Sequence, residues 1–203
     1  MLYVIFTSTG KEEELIRNIK REKEYQAYYT DVFVIKRVVW KKYRGEWRDV
    51  VERLFPGYVF IETEKPRMIQ RMLFEMEGFA KVLGQKGQGE TIFIPLRDYE
   101  EALMKAYAGK ENHTIEVSKI QVLEGKRVQI VDGPLLGQEG TVRKINLHKR
   151  IAEVEVTLFD RPHLVYLGIE IVREIAWSRT SIGSDFQKKG LSLRPEKDAT
   201  LIF

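Results

Sequence analysis

The chain has 203 residues, 43% of them apolar and 11% aromatic, enough to build the core of one or two domains and too many for wholesale disorder. It has no cysteine, which excludes disulfide frameworks, thiolate metal sites and cysteine nucleophiles and suits a reducing compartment. With 34 basic and 30 acidic residues the net charge is only +4, so contact with nucleic acid has to come from local clusters.

The apolar run Met1–Phe6 is too short for a signal-peptide core or a spanning helix, and no other run approaches the roughly 18 apolar residues a span needs. A soluble, cytoplasmic chain is expected, and the glycosylation-like triplet Asn112-His113-Thr114 is then a chance match. Residues 2–8 read as a buried strand. Thr9-Gly-Lys-Glu12 has the form of a capping box, a hydroxyl followed three residues later by a glutamate. It opens a helix whose acids come first and whose Arg17, Lys20, Arg21 and Lys23 come last, as the helix dipole favours. Leu15, Ile16 and Ile19 give that helix its apolar face. Residues 31–40, rich in β-branched and aromatic side chains, predict a strand that turns at Arg44-Gly45 and returns over 47–51 as a long hairpin.

Arg53 to Ile61 reads as a turn and a strand, punctuated by Pro56-Gly57. Pro66 suits a first helical turn. Met68, Ile69, Met72, Leu73 and Met76 follow at helical spacing, the strongest amphipathic signal in the chain. A short strand at 79–83, a loop over Gly84–Gly89 and a short strand at 92–94 lead to a capped helix from Asp98, with Tyr99, Leu103 and Tyr107 inward. Strands alternating with three helices indicate an α+β or α/β sandwich of about 105 residues. Residues 109–121 are polar and irregular, as a linker or an extended lead-in would be. From Gly125 the pattern is all-β, with strands at 127–131, 140–145, 151–158 and 164–172 at the spacing of a small barrel. Residues 174–203 are polar again and read either as a flexible extension or, through the closing Leu201-Ile-Phe203, as an addition to a sheet edge.

Catalytic chemistry finds no support. His113, His148 and His163 form no helical metal pair. Ser181-Ile-Gly-Ser184 lacks the strand–turn–helix setting of a nucleophile elbow, and Gly84–Gly89 lacks the Gly-Lys-Ser/Thr ending of a phosphate loop. No catalytic residue, metal or cofactor is expected. Two basic clusters stand out instead. Lys36, Arg37, Lys41, Lys42, Arg44 and Arg48 interleave with Trp40, Tyr43 and Trp47 on the hairpin, a positive finger with aromatic faces suited to phosphates and unpaired bases. Arg143, Lys144, His148, Lys149 and Arg150 straddle the turn between two barrel strands. An exposed hairpin and a turn tip kept soluble by charge are the plainer reading of the same residues.

Leu54-Phe-Pro-Gly-Tyr-Val-Phe60 resembles the central motif of the amino-terminal (NGN) domain of NusG-type transcription factors, and Tyr3–Glu12 is similar to that domain's first strand and helix start. Glu124–Val142 resembles a KOW motif, in which glycines make the tight corners of a small barrel. The resemblance implies an α+β chain: an NGN sandwich with an antiparallel sheet and three helices over 1–109, a linker over 110–122, a KOW β-barrel over 123–173 and an extension over 174–203. Ile145–Glu155 is closer to specialised antiterminating paralogs such as LoaP than to housekeeping members. In RfaH, another specialised relative, the carboxyl domain can become a helical hairpin; here Val/Ile alternation and glycine turns favour a barrel.

Within the family, the amino domain docks an apolar depression onto the clamp helices of RNA polymerase. Phe6, Phe55, Pro56, Tyr58 and Phe60 match that depression, and aromatic anchors suit a helical partner. Alternation puts Tyr58 and Phe60 on one strand face and Val59 and Ile61 on the other, so one face must cover the domain's own helices, and a purely structural role stays open. Leu135 and Leu136 stand where housekeeping members carry a phenylalanine used for Rho and ribosomal protein S10, which puts those contacts in doubt. Glu75 and Met76 stand where pause-stimulating members carry Asn-Thr, and a carboxylate repels DNA phosphates, so suppression of pausing is expected. The resemblance thus implies a monomeric, non-enzymatic elongation factor without membrane contact. It would promote processive antitermination in selected operons and be recruited by a nascent leader RNA hairpin read by the two basic clusters, with non-template DNA as a further contact. A general NusG coupling polymerase to Rho or the ribosome, and a ribosome-associated KOW RNA-binding protein, are the alternatives.

Overall fold

In a computed structural model the described residues are 1–76, 81–82, 84–86, 91–93, 95–108, 112–123, 127–174 and 200–201. The first half runs β1 (Leu2–Phe6), α1 (Glu12–Arg21), β2 (Asp31–Phe33), β3 (Lys36–Tyr43), β4 (Glu46–Arg53), β5 (Tyr58–Glu62) and α2 (Pro66–Glu75). Then come β6 (Lys81–Val82), β7 (Gly84–Lys86), β8 (Thr91–Phe93), α3 (Asp98–Ala108) and β9 (Thr114–Ile115). The remainder is β10 (Ser118–Val122), β11 (Arg127–Asp132), β12 (Val142–Asn146), β13 (Ile151–Leu158), β14 (Arg161–Glu174) and β15 (Thr200–Leu201).

β1 is apolar at every position, so both of its faces need a cover. It lies between β5 and β6 in an antiparallel sheet of order β2-β5-β1-β6. One face, with Tyr3, Ile5, Val59 and Ile61, packs on Leu15, Ile16 and Ile19 of α1 and on Ile69, Met72 and Leu73 of α2. The other face, with Leu2, Val4 and Phe60, joins Met104 and Tyr107 of α3 and continues without a break into the interior of the carboxyl barrel. Burying each such side chain stabilises the fold by about 1.5–3 kcal/mol.

The barrel is built on β12-β13-β14-β10-β11, with β13 and β14 paired along eight positions and β10 running parallel to β14. Its interior is the alternating set Val128, Ile130, Ala152, Val154, Val156, Val165 and Leu167. β9 and β10 form within the stretch that reads as a linker, because Ile115 and Ile120 find buried places there. β15 pairs in parallel with β11 through Thr200 and Leu201, adding to the sheet edge that the apolar end suggested.

Several local readings are corrected. The strand expected over 31–40 breaks at Val34-Ile35, since Val34 enters the helix-side core while Ile35 enters the barrel-side core. β2 therefore stays in the sheet, and β3 leaves it to pair with β4 across a two-residue turn. Arg44 and Gly45 both have positive φ there, as such turns require. In α3 Tyr99 points out, about half exposed, and Met104 takes the inward place. Gly84–Lys86 is a strand paired with β8; the tip of that hairpin lies outside the described residues.

The capping box is also used differently. No side chain caps α1, and Glu12 is its first helical residue, fully buried. One carboxylate oxygen accepts the Gly57 N–H at 2.7 Å and the other accepts that of Gly10 at 2.8 Å, with the Arg53 guanidinium 3.2 Å away. Gly57 sits at φ +85, where an added Cβ would lie 2.9 Å from the Thr7 carbonyl oxygen, so the Pro-Gly turn admits no side chain there. Glu12 thus pins the turn that carries the aromatic motif.

Burial pushes the Glu12 carboxyl up, but the Gly57 and Gly10 donors and Arg53 outweigh it and hold it below the ordinary 4.5. A depressed folded-state value contributes stability above the unfolded value that is lost as pH falls through the folded one. Glu12→Ala is expected to cost about 1–3 kcal/mol by stranding a buried donor. Urea titrations at neutral and acidic pH should show that cost shrinking on acidification; a pH-independent difference would contradict the assignment.

Candidate functional site

Two candidate surfaces lie where the barrel meets the amino-terminal half of the chain. The first is aromatic. Phe6 and Tyr58 meet edge-on with ring centres 4.4 Å apart, and Phe55 lies 5.7 Å from Tyr58 and 6.1 Å from Phe60. Phe33 continues the row, 5.8 Å from Phe60, and the His113 ring stacks on it at 3.6 Å while its Nε2 meets Asp31 at 2.8 Å. Four of the five residues matched to a polymerase-docking depression therefore form one cluster. Pro56 lies outside it, exposed beside Arg53.

This cluster is covered. Phe55 is buried and meets His163 of β14 edge-to-face at 6.4 Å. Phe60 is wholly buried, while Phe6 and Tyr58 remain half-buried against the same core. The β13–β14 turn, in which Phe159 and Asp160 both adopt positive φ, reaches the start of α3. Asp160 pairs with Arg97 and accepts from the Tyr99 hydroxyl at 3.5 Å, and its own N–H donates to Glu100 at 3.4 Å. Tyr107 of α3 and Thr141 share a hydrogen bond at 3.2 Å. None of these barrel contacts has a local signature in the sequence, because the partners lie far apart along the chain.

The second surface is basic. β3 leans on β14, where the Arg37 guanidinium donates to the Tyr166 carbonyl. Arg150, from the β12–β13 turn, places its guanidinium 4.7 Å from the Trp47 ring centre and 5.6 Å from that of Trp40. Such cation–π contacts are worth about 0.5–2 kcal/mol. Arg150 sits at φ +55, a conformation more natural to glycine, so its backbone is held there at a cost. The two basic clusters thus meet at a shared cleft of about 680 Å³, lined by residues from both, among them Trp40, Lys42, Tyr43, His148 and Lys149.

Many of the expected cations are already engaged. Lys41 and Arg37 share Glu52; the Lys41 ammonium and, against burial, the Arg37 guanidinium hold its carboxyl below the ordinary value. Arg48 pairs with Glu46, Lys36 with Glu13, and Arg143 with Glu155 at 2.7 Å. Lys144 also has an interaction partner. Lys42, Arg44, His148 and Lys149 form no ion pair among the described residues and are exposed. Arg143 points away from the cleft toward Glu155, and Lys36 lies at the far end of β3 beside α1. Among the described residues no group of three His, Asp or Glu side chains could hold a metal ion, and no helix is long and apolar enough to cross a membrane.

Comparison with known proteins matches residues 2–105 to the family described as "Transcription termination factor nusG" and residues 124–159 to the KOW motif. The chain is 25% identical to the transcription termination/antitermination protein NusG of Treponema pallidum, covering 82% of this chain and 94% of that protein. It is 24% identical to the protein of the same name from Halalkalibacterium halodurans, over 85% of this chain and 97% of the relative. A solved structure described as domain interaction in Thermotoga maritima NusG aligns at TM-score 0.46 and 19% identity, covering 82% of this chain and 92% of that one.

Gly168 of β14 makes the barrel's close approach to the hairpin possible. A Cβ there would stand 2.4 Å from the Val38 carbonyl oxygen and 2.9 Å from Val117 Cγ1. Gly168→Ala should part the hairpin from the barrel while leaving each folded. With no native cysteine to interfere, nitroxides on Arg44→Cys and His148→Cys would report a short, narrow distance that lengthens and broadens in the variant; an unchanged distribution would contradict this.

Proposed function

The chain belongs to the NusG family of transcription factors, which are not enzymes, and from that premise we propose that it is an elongation factor promoting antitermination in selected operons. In this reading the aromatic cluster Phe6, Phe55, Tyr58 and Phe60, with Pro56 at its edge, docks on the RNA polymerase clamp helices. The factor then favours the elongating conformation over paused ones by binding it more tightly. The observation that carries this is the gathering of those aromatics on one face whose remaining cover is the carboxyl barrel. Docking requires the barrel to leave that face, so barrel and clamp compete for it.

The recruiting signal is a hairpin in the nascent leader RNA, recognised by shape, phosphates and unpaired loop bases. Support comes from the convergence of both basic clusters on one aromatic cleft with exposed, unpaired cations. Kinship with LoaP-type paralogs belongs to the same reading. A general NusG role is the second reading, favoured by the names of the most similar relatives. Against it, Leu135 is buried inside the barrel and leaves only Leu136, about half exposed, where a loop phenylalanine would contact Rho or ribosomal protein S10. Polymerase occupancy confined to a few operons supports the selected role, and occupancy across most genes supports the general one.

Reconstituted transcription through a terminator, with and without leader RNA, tests the proposal. Replacing Arg143, Lys144, Lys149 and Arg150 together by Ala should abolish leader-dependent read-through and spare polymerase binding. Tyr58→Ala should instead weaken polymerase binding by roughly 30-fold, as an anchor residue does. Read-through unaffected by the first set, or polymerase affinity unaffected by the second, would sink the corresponding half of the proposal.

A further inference from the structure

The cleft between hairpin and barrel has the parts of a nucleotide site rather than of a plain basic surface. Its apolar wall is Trp40, Tyr43, Trp47 and the half-exposed Tyr166, all in reach of flat ligands. Tyr43 is half exposed although nothing in the fold requires an aromatic at a hairpin end. Lys42 and Lys149 approach from opposite walls, each without an ion pair among the described residues. The Trp40 indole N–H is buried with no acceptor among the described residues, an orphan donor that ordinarily costs about 1–3 kcal/mol. The Arg150 backbone is held in a left-handed conformation while its guanidinium caps the two indoles. Strain of this kind concentrates at working sites.

We infer that this cleft seats an unpaired base of an RNA loop, stacked on the hairpin aromatics, with its flanking phosphates between Lys42 on one wall and Lys149 on the other. The inference rests on the reading that the factor recognises RNA, and it names where and by which part of the RNA. Base stacking on aromatic faces tolerates any sequence, and cations set by a small cleft fix the backbone on either side. At about 680 Å³ the cleft is of small-ligand size, about 300–1,000 Å³. That fits a base splayed from a hairpin loop, whereas an extended DNA strand needs a basic track of about 4–16 nucleotides. Both walls are needed, so RNA in the cleft stabilises the docked arrangement of hairpin and barrel. The same arrangement covers the aromatic face, so capture of the transcript precedes polymerase docking and ends when the barrel leaves.

The test uses the full chain with Trp177→Phe, leaving Trp40 and Trp47 as the only indoles. Probes are an RNA hairpin with an adenine-rich loop, the same stem with an abasic loop, and the adenine-loop hairpin made as DNA. The adenine-loop RNA should quench the indole fluorescence saturably, and the abasic loop should bind about 10- to 100-fold more weakly, the value of a stacked base. Lys42→Ala with Lys149→Ala should lower the slope of log affinity against log salt by about 1.4, two single-strand phosphate contacts. Gly168→Ala should weaken the RNA, and Lys20→Ala, exposed on α1 and outside both basic clusters, should leave affinity as it was. Added polymerase core enzyme should release the RNA from the factor.

Equal affinity for adenine and abasic loops, an unchanged salt slope in the double lysine variant, a DNA hairpin bound as tightly as RNA, or RNA retained on the polymerase-bound factor would each overturn the inference. Failure of the functional reading looks different. Cleft binding with all the expected changes but no leader-dependent read-through removes the recruitment role and upholds the cleft. Leader-dependent read-through by a protein indifferent to the abasic loop removes the cleft and leaves recruitment standing.

Discussion

The central constraint is a four-stranded sheet with two apolar faces. β1 carries no polar residue to solvate, so each face must be covered. Two helices suffice for the face of Tyr3, Ile5, Val59 and Ile61. The opposite face carries Phe6, Tyr58 and Phe60, and α3 covers only part of it; the barrel covers the rest and shares one continuous core with it. A surface of this kind is stable in either of two ways, under the barrel or under another protein. That choice is what the proposed function exploits.

One device holds the aromatic motif in place for either cover. Glu12 spans from the start of α1 to the Pro56-Gly57 turn and fixes the direction in which β5 leaves it. The sharp β13–β14 turn meets α3 through Asp160, whose pair with Arg97 is exposed and worth about 0–1 kcal/mol. Most of the attachment must therefore come from apolar burial. The apolar part of the contact has no directional lock and can be exchanged for a similar apolar partner, while the Tyr107–Thr141 hydrogen bond has to break. At the basic cleft, the Arg150 guanidinium over Trp40 and Trp47 joins hairpin to barrel by a contact that a stacking base or a phosphate can replace.

Regular periodicity made much of the fold legible in the sequence. The helical spacing of Ile69, Met72 and Leu73 and the strict alternation along β13 both carry over to buried positions. Legibility failed where two cores meet. Consecutive apolar residues at Val34 and Ile35 read as an uninterrupted strand, yet they serve opposite cores and end it. Tyr99 read as inward because α3 was expected to pack on one surface, whereas it lies beside the barrel turn and lets Tyr99 reach Asp160. For the candidate sites, the sequence offered the residues but not their neighbours. Arg150 and Trp47 look like a free cation and a free aromatic until the fold places one over the other. Glu52 looks like one acid among many until Lys41 and Arg37 share it.

The claim that barrel and polymerase contend for one aromatic face is tested most directly by holding the barrel in place. A chain without native cysteines allows a cleavable bis-maleimide link between Arg97→Cys and Asp160→Cys, residues that touch across the contact. Polymerase binding is then measured before and after the link is cut. The account predicts that the linked chain fails to bind and that cleavage restores the affinity of the unlinked protein. Equal binding by the linked and cleaved chains would contradict it.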